Sequence, residues 1–238
     1  MTTVSSPTKE RILSAAELLF AETGIATTSL RQITSRARVN LAAVNYHFGS
    51  KDGLIDAVYE RRLGPVTDGW LGNIETLEKQ YGDSAIPVEE IVESFVLPVA
   101  RLAADEVRGG RIFMRLLAQG YSEARHYFEK LFSSQYQHVL DRYRQALRHA
   151  IPDLPSESLC WRLQFLLGAL TQGLSGGELL RLIEGQADPR DTKRAVKELI
   201  PFLVAGLKAP PPQLEMTVEL EDGASPSTMD SSVRKASA

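Results

Sequence analysis

Between Thr28 and Lys51 the chain carries Arg31, Arg36, Arg38, His47 and Lys51 and not one acidic residue. Guanidinium and ammonium groups pair with phosphate, and an arginine fork fits guanine O6 and N7. Asn40, Asn45 and Tyr46 are interleaved with them. Asn45 can pair bidentately with adenine, and the methyl groups of Ala42 and Ala43 suit the C5-methyl of thymine. These residue types fit the backbone and base edges of a nucleic acid. They do not fit a covalent reaction.

The rest of the chain holds no competing chemistry. His47, His126, His138 and His149 have no carboxylates at metal-ligand spacing, so no metal site is expected. Cys160 lies in an apolar helical pattern without a candidate base nearby in sequence, and reads as core. Neither a phosphate-cradling glycine loop nor a nucleophile elbow is present. No enzyme activity and no cofactor are expected.

The basic residues need elements to position them. Ser29 suits the N-cap of a short helix whose inner face is Leu30, Ile33 and Ala37. Asn40 suits the cap of a second, with Leu41, Val44 and Phe48 as its buried face. Two short helices joined by a tight corner make a helix-turn-helix, in which the second helix presents its N-terminal residues to base edges. A helix from Thr8 to about Thr23 precedes them, with Ile12, Ala15, Ala16, Leu19 and Phe20 inside and Gly24 closing it. A fourth begins after Ser50 and runs through Leu54, Ile55, Val58 and Tyr59. Gly64-Pro65 then breaks or bends the chain.

Beyond that point strand signals are missing, and further helices are expected at about 66–80, 87–104, 109–119, 122–149, 156–175, 177–184 and 190–207. From Pro210 the composition turns to Pro, Ser and acids, so a disordered tail is expected. The fold class is all-α. Residues 1–7 read as a flexible leader, 8–63 as the helix-turn-helix domain, 64–209 as a second helical domain and 210–238 as the tail.

The 238 residues are 43% hydrophobic, enough for a real core, and the formal net charge is -3. Whole-chain charge does not suggest a nucleic-acid binder, but its distribution does, because the acids avoid the helix-turn-helix. A single cysteine excludes an internal disulfide framework and suits a reducing cytosol. No uncharged apolar run reaches membrane-spanning length, and MTTVSSPTKE is no secretory signal, so a cytoplasmic location away from membranes is expected.

Thr8-Lys9-Glu10-Arg11-Ile12-Leu13, Ala15-Ala16-Glu17-Leu18-Leu19-Phe20, Gly24, Thr28, Ile33, Val39, Tyr46, Phe48 and Lys51-Asp52-Gly53-Leu54 stand in an order that resembles the DNA-binding domain of TetR-type transcriptional repressors. The resemblance covers about a quarter of the chain. It implies DNA contacts by Thr28, Ser29, Arg31, Arg38, Asn40, Leu41, Ala42, Ala43, Asn45, Tyr46, His47 and Lys51, with Tyr46, His47 and Lys51 on phosphate. It departs at Arg38, where the family most often has glycine. A left-handed corner there costs a non-glycine residue about 1 kcal/mol.

The resemblance further implies a homodimer on a palindromic double-stranded operator. Leu159, Leu163, Leu166, Leu167 and Leu170, with Val196, Leu199, Leu203 and Leu207, are the expected dimer helices, and Gly168, Ala169 and Gly173 would let helices approach closely. Residues 111–117 and 161–169, together with 201–203, are similar to the fatty-acid-responsive repressors of pseudomonads. That likeness implies a small hydrophobic effector, a long-chain fatty acid or acyl-CoA. Phe95, Phe113, Met114, Leu117, Phe128, Trp161, Gln164 and Phe165 are the candidate effector-binding residues, with Arg115, Arg162 or Gln164 at the mouth. The alternative is a helical dimeric interaction protein whose DNA heads have degenerated.

Overall fold

A computed structural model of the chain describes residues 6–123, 136–176, 188 and 191–211. Among them are nine α-helices and no strand: α1 (Pro7–Thr23), α2 (Leu30–Ala37), α3 (Leu41–Phe48), α4 (Lys51–Tyr81), α5 (Val88–Ala104), α6 (Gly110–Glu123), α7 (Gln137–Ala150), α8 (Ser156–Leu174) and α9 (Thr192–Lys208). The expected helix at 177–184, Phe128, and most of the leader and tail lie outside the described residues.

Helices α1 to α3 and the first turns of α4 close around Ile12, Ala16, Phe20, Ile33, Val44, Leu54 and Val58, all fully buried. Local chemistry sets each boundary. Pro7 opens α1, where its missing N–H costs nothing. Ser29 and Gln32 form a capping box on α2, with Gln32 N–H donating to Ser29 Oγ at 3.3 Å and Ser29 N–H to Gln32 Oε1 at 2.7 Å. Asn40 Oδ1 accepts the Ala43 N–H at 2.9 Å, and Ser50 Oγ the Gly53 N–H at 3.0 Å. A Cβ on Gly53 would lie 2.1 Å from the Phe48 carbonyl oxygen, so only glycine lets α4 start this close to α3. Leu41 departs from the expected buried face. It is 45% exposed, in the first turn of α3, while Val44 one turn on is fully buried.

The expected break at Gly64-Pro65 does not occur. α4 runs unbroken for 31 residues with Pro65 inside it. A proline within a helix forfeits one backbone hydrogen bond, a cost of about 3 kcal/mol. Packing holds both halves against that cost: Leu54, Ile55 and Val58 in the head, Val66, Trp70, Ile74 and Leu77 in the body. The segment expected as a separate helix at 66–80 is thus the distal half of α4, and a boundary at 63/64 falls inside a helix shared by both parts. The expected single helix 122–149 is likewise corrected. Residues 122 and 123 belong to α6, Tyr136 is the cap from which α7 starts at Gln137, and residues 124–135 lie outside the described residues.

In the body, α4 and α9 pack on α5, and α6 bridges α1 and α8. α8 and α9 run antiparallel. The Arg162 guanidinium donates to the carbonyls of Leu207 and Ala209 at 2.7 Å and of Pro210 at 3.0 Å, so it closes the end of α9 and does not guard a pocket mouth.

Charge holds the joint between head and body. Glu17 of α1 is 3% exposed and accepts from both Arg61 and Arg62 of α4. Arg62 Nη2 lies 2.7 Å from Glu17 Oε1 and also donates to the Arg108 carbonyl, in the turn between α5 and α6. One side chain thereby touches both parts. A cleft of about 870 Å³ opens around this network, walled also by Pro65, Pro98 and Ile112.

Candidate nucleic-acid interface

The outer surface of α3 is where the basic stretch arrives. Arg31, Arg38, Asn40, Leu41, Ala42, Asn45 and Tyr46 are exposed, with Ala43, His47 and Lys51 half-buried beside them. Tyr46 is 85% exposed, an unusual position for so large a ring on a folded head. His47 packs edge-on against it with ring centroids 5.1 Å apart. The caps make this helix rigid, so its side chains are presented without further ordering.

Of the expected contacts, one turns inward and one is engaged in a helix cap. Thr28 is fully buried, its hydroxyl 2.6 Å from the Gly24 carbonyl oxygen and 2.9 Å from Thr23 Oγ1, so its side chain buttresses the turn after α1. The Ser29 hydroxyl is occupied in the α2 cap by Gln32. Arg36 pairs with Glu22 at 3.0 Å. Lys51 donates to the Ile25 carbonyl at 2.7 Å, tying α4 to the loop before α2.

Arg38 adopts φ 54° and ψ 51°, the left-handed corner that the sequence led us to expect. It is the one non-glycine residue with positive φ among those described. Arg38→Gly should raise stability by about 1 kcal/mol in denaturant melts. The same variant should weaken DNA binding severalfold, because it also removes an exposed guanidinium beside α3.

The expected effector residues do not assemble into one pocket. Phe113 and Met114 are fully buried, and Phe113 packs edge-on against Tyr59 of α4 at 5.6 Å. Trp161 and Phe165 are 58% and 65% exposed on α8, with Gln164 exposed between them. Exposed Cys160 is not core either. Of the expected set, Phe95 lines an apolar cavity of about 220 Å³ between α5, α7 and α8. Ile91, Val92, Leu140, Leu147, Leu163 and Leu166 complete its wall, and Gln137, Asp141 and Arg144 stand among the lining residues. Asp141 and Arg144 form an ion pair at 2.8 Å. Phe95 stacks on Trp70 of α4, centroids 4.5 Å apart and planes within 4°. Burial pushes the hydroxyl of the lining Tyr143 up to about 12, so it stays neutral and donates to the Trp70 carbonyl at 3.2 Å.

Residues 12–58 match the family model for bacterial regulatory proteins of the tetR family. Residues 93–206 match that for the tetracyclin repressor-like C-terminal domain. The chain belongs to the TetR family. An HTH-type transcriptional repressor of Mycobacterium tuberculosis is 53% identical over 49 residues, 21% of this chain and 26% of the relative. The chain thus spans about a quarter of that relative's length. The transcriptional regulator AcrR of Shigella flexneri is 26% identical over 174 residues, 70% of this chain and 76% of the relative. The solved structure of the fatty acid degradation regulator FadR from Bacillus halodurans has a TM-score of 0.54 at 17% identity, covering 87% of this chain and all of that one; it shows the shared fold.

The TetR family and these relatives are helix-turn-helix transcriptional regulators, not enzymes. No helix among the chain's described residues is long and apolar enough to cross a membrane. Among the described residues the exposed large apolar side chains fall into few places: Leu41 and Tyr46 on α3, Val107 in the turn before α6, and Trp161, Phe165 and Phe202 on α8 and α9. Of the residues expected at a dimer face, Leu159, Leu166, Leu170, Leu203 and Leu207 lie inside the chain's own core, while Leu163, Leu167, Val196 and Leu199 are half-buried on the same helices.

Proposed function

We propose that this regulator is a cytoplasmic homodimeric repressor. It binds a palindromic operator through α3 and leaves it when a small apolar effector that enters the cavity between α5, α7 and α8 acts on α4. The observation that carries the reading is the rigidly capped α3 with its acid-free outer surface. Arg31, Ala43 and Asn45 read bases; Arg38, Tyr46, His47 and Lys51 grip phosphate; Asn40, Leu41 and Ala42 complete the contact surface. Two such surfaces, one per copy, meet successive major grooves roughly 34–36 Å apart or a little more. The aromatic side chains on the outer face of α8 and α9 join the copies.

The effector's route to the DNA runs along α4. The cavity abuts α4 through Phe95, which is stacked on Trp70, and Trp70 belongs to the helix whose first turns carry Lys51. A ligand that favours one angle of α4 shifts the spacing of the two heads by its differential affinity for the two states. The lining is aliphatic and aromatic with charge at one side, which suits an acyl chain with an anionic head near Arg144. A long-chain fatty acid, or an acyl-CoA with its nucleotide outside, has that chemistry.

The test is operator release, measured by anisotropy of labelled operator while palmitate or palmitoyl-CoA is titrated. Release by either at micromolar concentration is the expected result. Release by neither removes the lipid assignment.

A further inference from the structure

We infer that Leu167 is a length gate, so that a ligand's chain length decides whether binding causes release. The inference rests on the effector-cavity reading above. Next to the 220 Å³ cavity lies an inner chamber of about 40 Å³, walled by Leu63, Val66 and Trp70 of α4, Val99 of α5, Leu117 of α6 and Leu170 of α8. Leu167 lines both spaces, and it is the one described residue that does so.

The rest of the partition is the Phe95–Trp70 stack, which cannot swing easily. Trp70 Nε1 donates to the Phe95 carbonyl at 2.7 Å, and the Tyr143 hydroxyl holds the Trp70 carbonyl. Leu167 has no polar atom to anchor it and can move by changing rotamer. The outer cavity alone is smaller than the roughly 300–1,000 Å³ of ordinary small-molecule pockets. An unbranched chain that outgrows it must displace Leu167 and enter the inner chamber.

The two spaces touch different machinery. The outer cavity is walled by α5, α7 and α8, all of the body. The inner chamber is walled by Leu63 and Val66, next in sequence to the Arg61–Arg62 joint, and by α6, which packs on α1. A short chain fills the first space and leaves the joint alone. A long chain passes Leu167 and pushes α4 where head meets body.

Calorimetric binding and operator release, measured separately with hexanoate and palmitate, test this on the full chain and on two variants. Leu167→Phe narrows the passage, and Val99→Leu fills the inner chamber from its α5 wall, so the test survives if Leu167→Phe does not fold. In the unaltered protein hexanoate should bind without releasing DNA, and palmitate should do both. Each folded variant should lower the palmitate-to-hexanoate affinity ratio by about tenfold, the scale of overfilling a packed site. Release by saturating hexanoate, or variants that leave the ratio unchanged while palmitate still binds, would overturn the gate and leave the cavity reading standing. Binding of neither acid would overturn both.

Discussion

Exchange of Trp161 and Phe202 for glutamate should convert the proposed dimer to a monomer and lower affinity for its palindromic operator by about 10²–10⁴-fold, the gain that linking two sites supplies. Trp161, Phe165 and Phe202 are 58%, 65% and 67% exposed in the single chain. Large aromatics bury about 150–250 Å² each when covered, so three from each copy supply much of a standard interface of about 1,200–2,000 Å². Glutamate at two of these positions places charges where the partner would have to desolvate them. Neither side chain lies in the intramolecular core, so the monomer stays folded. Sedimentation should show the mass halved with an unchanged circular dichroism spectrum. A variant that stayed dimeric would move the interface elsewhere.

Glu17→Ala destabilises the protein by about 3–5 kcal/mol, because it leaves the largely buried Arg62 guanidinium without its carboxylate and Arg61 with only the half-exposed Glu10 at 3.2 Å. Arg61 and Arg62 side chains are 20% and 11% exposed, which favours the lower end of that range. Arg62 also reaches the Arg108 carbonyl, so the same change loosens the head against the body. Replacing Glu17 by leucine together with Arg61 and Arg62 by methionine should recover most of the loss, since apolar residues of similar volume can substitute for a buried ion network. Denaturant melts of both variants check the pair of expectations. Equal stability of Glu17→Ala and the unaltered protein would mean that water already solvates the network.

The head was legible in sequence because its signals are local. Ser29, Asn40 and Ser50 cap the helices they precede, and Ile33, Val44 and Leu54 recur at helical spacing on the buried side. Even Arg38's left-handed backbone followed from its place at the corner. What failed needed tertiary information. Pro65 looked like a break because its local penalty is visible in sequence, whereas the packing that outweighs it on both sides is not. α8 reads SESLCWRLQFLLGALTQGL, apolar on nearly every side, so its period cannot say which leucines face inward. For the same reason the sequence does not separate Trp161 and Phe165, exposed on α8, from pocket-lining aromatics. Thr28 and Ser29 are the polar types that contact DNA and also the types that cap and buttress turns. Only their hydrogen-bond partners separate the two roles. Cavity residues such as Ile91 and Leu147 carry no signal that distinguishes them from ordinary core.

The most direct test of two α3 helices reading one operator is selection of binding sequences from random duplex DNA by the purified protein. The recovered consensus should be a palindrome whose half-site centres lie roughly one helical turn, 34–36 Å, apart or slightly more. Its affinity should fall steeply with salt through counterion release. Asn45→Ala should relax the preference at one position in each half-site, and Tyr46→Ala should weaken binding to all sequences alike. Recovery of no palindrome, or of one that both variants bind as the unaltered protein does, would contradict the account.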